Sequence, residues 1–162
     1  MYDNPNYRVD WRDMVVHDDK NIKGFFGDYR FLSNFEEANI WYEGIMYKNS
    51  ENAYQAQKIA PYRRGEFSLM SPKVSKFAWK KYPKADISDE HWNARKYDVM
   101  LAVNFDKYYR NIELRKKLLD TNDKYIEETN WWKDTFWGVD YKTGQGENNL
   151  GKILMKIRNM FL

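Results

Sequence analysis

The feature that most constrains this chain is its helix punctuation. Ser50, Ser71 and Ser88 each precede a run of helical composition, and Pro61 and Pro83 stand where the first two runs must stop. A serine in that place accepts a bond from a backbone N–H that the first helical turn leaves unpartnered. A proline cannot continue a helix, because it lacks the N–H and its ring clashes with the preceding turn. The pattern predicts a short helix over about residues 51–60, capped by Ser50, and a second one opened by Pro72 and ending near Pro83. A long helix then follows Ser88, where Trp92, Val99, Met100 and Val103 recur at helical spacing. Asn111 opens a further helix through Leu114, Leu118 and Leu119. In "NLGKILMKIRNMFL" the residues Leu150, Ile153, Leu154, Ile157 and Phe161 share one face of a closing helix.

Strand signals are fewer. "IWYEGIMY" reads as two short strands turned at Glu43-Gly44, and "KYIEET" alternates like a short edge strand. Residues 1–22 are polar and broken by Pro5, so they read as an N-terminal extension that packs loosely or carries one short helix around "DWRDMVV". At 162 residues the rest suits one domain, 23–162. The expected class is mainly α with a small β element, α+β.

Composition removes several chemistries. The chain has no cysteine, which excludes disulfides, thiolate nucleophiles and Cys-based zinc sites; His17 and His91 are too few and too far apart for a His-rich metal site or a serine triad. No apolar run approaches 18 residues and the N-terminus lacks a signal-peptide core, so a cytoplasmic protein without membrane contact is expected. A net charge of +3, from 27 basic and 24 acidic residues, is too balanced to demand nucleic acid. Locally, Arg63, Arg64, Lys73, Lys76, Lys80, Lys81 and Lys84 form a basic stretch that is either a solvated surface or a phosphate-tracking patch. The aromatic content, 18% with seven Trp and thirteen Tyr, serves a core and leaves rings for stacking on a base or sugar. The twenty-residue segment "NWWKDTFWGVDYKTGQGENN" carries enough bulky aromatics to argue for a functional loop over a disordered one.

The 51–60 helix raises a question of its own. At roughly 100° per residue, Glu51, Gln55 and Lys58 share a face with Tyr54 at its edge, while Ala53, Ala56 and Ala60 line the other. Glu51 and Lys58 are two turns apart, about 10.5 Å, beyond the reach of an i, i+4 ion pair. Either the face is solvated, or a groove places a ligand between the two charges.

Three segments, "GDYRFLSNF", "SENAYQAQK", and "DTFWG" followed by "GQGENNLGKILMKIR", resemble in order and spacing the NADAR family of YbiA-like N-glycosidases, over about residues 24–161. The resemblance implies a single-domain YbiA-like fold with a cleft for ADP-ribose-like or ribosylated-base ligands, and an enzyme that cleaves the C–N bond between ribose and a base or amine. It marks Glu51 as the carboxylate of the "SE" motif, Lys58 as the amine of "QAQK", and Asp134 as the acid of "DxxWG", with Trp137 and Gly138 as its aromatic corner.

The reaction asks for these residue types. Loss of a base from ribose C1′ builds an oxocarbenium-like cation that a carboxylate stabilises, a role for Glu51. A second acid protonates the departing base, for which Asp134 is the candidate. Alternatively, Lys58 attacks the opened ribose aldehyde as a Schiff-base amine. Arg30 suits a phosphate, as do backbone N–H groups around Gly144, Gly146 and Asn148 at the start of the last helix. Trp92 and Trp137 suit base stacking; Asn34 and Gln55 suit ribose hydroxyls or a base edge, with Ser33 and Tyr54 as weaker candidates. The segment "GVDYKT" and Asn149 depart from the family's glycine-rich, basic pattern.

The expectation is therefore an N-glycoside hydrolase that works without metal or cofactor. Its favoured substrate is ADP-ribosylated guanine in a nucleotide, DNA or RNA, because of the basic stretch. A phosphoribosylated intermediate of riboflavin synthesis is the alternative substrate, and a non-catalytic NAD or ADP-ribose binding module the alternative function.

Overall fold

The computed structural model describes residues 9–162. After a 3-10 turn at Trp11–Asp13, strand β1 (Val16–His17) pairs antiparallel with β2 (Asn21–Lys23), and β2 pairs in parallel with β5 (Tyr125–Glu127) at the sheet's other edge. A second sheet is the hairpin β3 (Ile40–Tyr42) and β4 (Ile45–Tyr47), turned at Glu43 and Gly44 with φ of 44° and 83°, the left-handed pair that matches strand twist. A third joins β6 (Thr129–Asn130) to β7 (Val139–Asp140) in parallel, and all of it but Thr129 falls in the segment expected to be a loop. The helices are α1 (Ser50–Ala56), α2 (Pro72–Ala78), α3 (Asp89–Arg110), α4 (Ile112–Leu119) and α5 (Asn149–Met160). The class is α+β, as expected. No helix among the described residues is long and apolar enough to cross a membrane.

Helix α3 is the backbone of the core and packs against α1, α5 and β3, while α5 covers β5. Val103, Tyr108, Leu118, Ile126, Ile153, Leu154 and Ile157 are fully enclosed. Phe161, expected inward, is only half-buried at the core's rim. The caps at Ser71 and Ser88 form as read, accepting from Val74 N at 3.3 Å and His91 N at 3.3 Å. The first one is displaced: Asn49, not Ser50, caps α1, taking Asn52 N at 2.8 Å from an extended backbone, and Ser50 becomes the first helical residue. Asparagine and serine cap equally well, so the adjacent pair left the sequence ambiguous. The helix also stops at Ala56 instead of residue 60. The chain beyond it bonds the segment before α3, with Ala60 N donating to Pro83 O at 2.8 Å and Ala85 N to Lys58 O at 3.0 Å.

Of the expected N-terminal extension, residues 1–8 lie outside the described residues. Residues 16–22 are part of the fold, because β2 runs through the expected boundary and Ile22 is completely buried. The alternation Asn21, Ile22, Lys23 is too short to be legible without its partner strand, which lies a hundred residues away.

Candidate functional site

Every residue of α1 is buried, Glu51, Asn52 and Gln55 included. This excludes the solvated-face reading: the helix is wedged between α2, α3 and the "LSNF" turn. Glu51 N donates to Asn34 O at 3.0 Å, and Asn52 Nδ2 reaches Met70 O at 2.6 Å. Asn34 is itself locked to α3, with its Nδ2 on Met100 Sδ at 3.3 Å and its Oδ1 taking Asn104 Nδ2 at 3.1 Å. Gln55 Nε2 donates to Glu51 Oε1 at 2.8 Å. Burial raises the Glu51 carboxyl above its ordinary range. The Gln55 bond and the charges of Lys76 and Lys58 oppose that shift, and Asp134 adds to it.

Lys58 lies just past the end of α1 inside an aromatic cage. Its Nζ is 4.4 Å from the ring centroid of Trp79, 5.2 Å from Tyr54 and 5.7 Å from Trp92. Rings of this kind hold a cation by their negative faces without supplying a counter-ion. Burial lowers the ammonium to about 8, against the pull of Glu51 and with the help of Lys96, Lys80 and Lys76.

The "DTFWG" corner closes over these groups. Asp134 Oδ1 accepts from Phe136 N at 3.1 Å and Trp137 N at 2.9 Å, and Asn130 clasps Asp134 through both main-chain polar groups. The turn so fixed sets Trp137 edge-on to Tyr54, with centroids 5.7 Å apart. Gly138 must be glycine, since a Cβ there would sit 2.2 Å from Glu128 O.

Not all the expected ligand contacts converge. Arg30 is exposed and pairs with Glu36 at 3.5 Å, and Ser33 Oγ is spent on Phe35 N at 3.1 Å. The expected phosphate cradle before α5 is filled by the chain itself: Asn148 N, Asn149 N and Leu150 N donate to the carbonyls of Gly138, Phe136 and Trp137, and Gly144 N to Asp140 O. Gly146, at φ 151°, passes so close to Gly138 that a Cβ would meet its carbonyl at 2.2 Å. Asn148 Oδ1 takes Glu128 N at 3.0 Å, while its Nδ2 reaches Ile126 O at 2.9 Å. These residues fasten α5 to β5 and β6. Trp92 and Trp137, by contrast, stand with Tyr54 beside Lys58.

Three participants escaped the sequence reading. Trp79 carries no sequence signal beyond its place in the helix opened by Pro72. Lys76, counted with the basic stretch, sits over Trp132 at 5.2 Å and Phe35 at 5.9 Å, and its charge acts on Glu51. Glu128, in the "KYIEET" strand, carries a carboxyl raised by burial, with the charges of Asp134 and Glu51 adding to the shift. The signal was present, because two successive glutamates on a strand point to opposite sides, and one of them had to face inward. Among the described residues no His, Asp or Glu side chains gather as three or more metal-ligating groups.

Comparison with known proteins agrees with this geometry. The NADAR domain model matches residues 17–162, which includes the end of β1 and all of β2. N-glycosidase YbiA of Escherichia coli strain K12 is 34% identical over 134 residues, 81% of each chain. Riboflavin biosynthesis protein VVA0006 of Vibrio vulnificus is 32% identical over 131 residues; the match covers 81% of this chain but 35% of that longer protein. The NMR structure of the E. coli protein YbiA superposes with a TM-score of 0.74 at 30% identity, covering 93% of this chain and 90% of the other. This chain belongs to the NADAR domain family.

Proposed function

We propose that this protein is an N-glycosidase that hydrolyses the bond between C1′ of a ribose and the nitrogen of a base or amine. The observation that carries the reading is the enclosure of Glu51: a glutamate buried on a short helix, with Lys58 and Asp134 acting on it from neighbouring segments and aromatic rings around the lysine. A buried carboxylate without a tight ion pair is costly to folding and useful to a developing cation. As the C–N bond lengthens, positive charge spreads over C1′ and the ring oxygen; the Glu51 carboxylate stabilises that charge and orients the attacking water, and Trp92 and Trp137 offer faces to the departing base. The names of the YbiA and mimivirus R617 relatives, both N-glycosidases, support the reading.

A second route is favoured by the state of Lys58. An amine lowered to about 8 is partly neutral near neutral pH, so it can attack the aldehyde of an opened ribose and form an imine with loss of water. Borohydride in the presence of an N-ribosyl substrate then traps a covalent adduct in the parent protein, and none in Lys58→Ala. Without an adduct in the parent, the direct hydrolysis stands alone.

For the substrate we favour ADP-ribosylated guanine. Within the basic stretch, Arg64 is buried against Ile59 O and Glu43, Arg63 is spent on Glu66, and Lys84 on Asp89. Lys73, Lys80 and Lys81 remain exposed for a phosphate backbone. Replacement of Lys73 and Lys81 by alanine should weaken binding of an ADP-ribosylated oligonucleotide and flatten its salt dependence, while turnover of ADP-ribosylated guanosine stays the same. The printed name of the Vibrio relative favours a phosphoribosylamino-pyrimidine instead. Incubation with each compound, followed by detection of freed ADP-ribose or ribose phosphate, decides between them; release from neither contradicts the N-glycosidase reading.

A further inference from the structure

Glu128 is the one residue between β5 and β6, and its backbone is held from both sides. Its N–H donates to Asn148 Oδ1 at 3.0 Å, and its carbonyl accepts Val139 N at 2.9 Å. Glu127 before it turns the other way, accepting Thr129 Oγ1 at 2.8 Å and lying 3.7 Å from Lys23. Glu128 instead extends over Gly138, where a Cβ would lie 3.1 Å from its Oε2. That oxygen is sealed from solvent and has no hydrogen-bond partner. The residue as a whole is only half-buried, and its other carboxyl oxygen is not sealed in this way.

An ionised oxygen in that position would have neither water nor donor, a costly state that a bound proton relieves. The groups facing it are Asp134 from the turn after β6, Glu51 from α1 and Lys76 from α2. Two of the three are acidic and favour the proton; Lys76 opposes it. Asp134 is less suited to deliver a proton, because its Oδ1 is occupied as the acceptor that holds the Trp137 turn.

We propose that Glu128, and not Asp134, is the general acid of this site, holding a proton on its carboxyl and giving it, through the oxygen that is not sealed, to the base nitrogen as the C1′–N bond breaks. The proposal rests on the N-glycosidase reading. The bonding pair leaves with the nitrogen, which takes the Glu128 proton and departs neutral. Water adds its oxygen to C1′, and its surplus proton passes to the Glu51 carboxylate and returns through solvent to Glu128, so the net reaction consumes one water. Burial, reinforced by Asp134 and Glu51, pushes the Glu128 carboxyl up to about 8, so the acid form is the resting form at neutral pH.

The test compares the parent with Glu128→Gln on three compounds: ADP-ribosylated guanosine, the phosphoribosylamino-pyrimidine, and a 4-nitrophenyl riboside phosphate whose leaving group needs no proton. Loss of a general acid should cut kcat/KM on the cleaved N-ribosyl substrate by about 10²-fold or more, and leave the nitrophenyl compound nearly unaffected. An infrared difference spectrum of parent against variant should show the carbonyl band of a protonated carboxyl at pH 7, fading as pH rises through about 8. Parent-like cleavage by Glu128→Gln, or an equal loss on both kinds of leaving group, overturns the assignment and leaves the N-glycosidase reading standing. Absence of the carboxyl band overturns it independently of turnover. A parent inert on both N-ribosyl compounds overturns the two together.

Discussion

At the scale of single residues, the site depends on places where the chain has no freedom left. Gly138 is the clearest: alanine would bring a Cβ to 2.2 Å from Glu128 O and 2.6 Å from Asn130 Nδ2, so two strands must move apart. Gly138→Ala should cost about 2–4 kcal/mol, the scale of a backbone clash without room to relax, and should lower Tm in a thermal melt. It should also disturb the near-ultraviolet signal of Trp137, whose turn is built on the same contact. A Tm within a degree or so of the parent would show that the corner can yield, and that the close approach does not position Glu128. A motif names Glu51, Lys58 and Asp134 in the sequence, and the structure brings them close enough for their charges to act on one another. Glu128 has no motif. Its only sequence signal is the pair of successive glutamates, and which of the two turns toward the site is decided by the structure, where Glu128 is the single residue between β5 and β6.

At the scale of elements, α1 decides whether a polar helix can be built inside a protein. Alanines 53 and 56 let it press against its neighbours, and its donors are matched, Asn52 Nδ2 to Met70 O, Gln55 Nε2 to Glu51 and the main-chain Glu51 N to Asn34 O, while Ser50 Oγ, Asn52 Oδ1 and Gln55 Oε1 are buried without a partner. Seven residues are too few to be helical alone, so packing and the cap hold it. Asn49→Ala should destabilise the fold by about 1–2 kcal/mol, the range for a lost N-cap. Ser50→Ala should cost little or even stabilise, because Ser50 Oγ is buried without a partner. Urea melts of the two variants measure this, and a larger loss at Ser50 than at Asn49 would restore the serine as the functional cap. The helices were legible as a class because caps, prolines and 3.6-residue spacing are local signals. The parallel pairings of β2 with β5 and β6 with β7 were not, since strands of two or three residues carry no period and their pairing is a property of distant chain. The same limit explains the phosphate cradle expected before α5: glycines and a helix start look alike whether their N–H groups face a ligand or, as here, carbonyls of the "DTFWG" turn.

At the scale of the whole molecule, building this site leaves a mark on stability. Glu128 is pushed up to about 8 from an ordinary 4.5, and Glu51 is raised as well, so between those values the folded state holds protons that the unfolded state has released. Stability therefore falls as pH rises through that window. Lys107, enclosed and donating to Phe31 O at 2.7 Å and Ser33 O at 2.9 Å, is lowered by burial to about 7, and Lys58 to about 8. From there up to 10.5 the unfolded state binds protons that the folded state lacks, so stability rises with pH. The two windows meet in a minimum of Tm near pH 8. Glu128→Gln should flatten the acid-side fall and raise Tm at pH 8 relative to pH 5; a parent protein most stable at pH 8 would contradict these shifts. Under the proposed function, the unpartnered glutamate and the caged lysine are kept at such cost for chemistry centred on Glu51. The most direct measurement is the turnover of an N-ribosyl substrate by Glu51→Gln, which keeps the shape and a hydrogen-bonding oxygen but removes the charge. Cleavage should fall by at least about 10²-fold, the scale for a lost electrostatic group, while the thermal melt and ligand binding stay near those of the parent. Cleavage at the parent rate by a folded Glu51→Gln protein would mean that the buried face of α1 performs no chemistry.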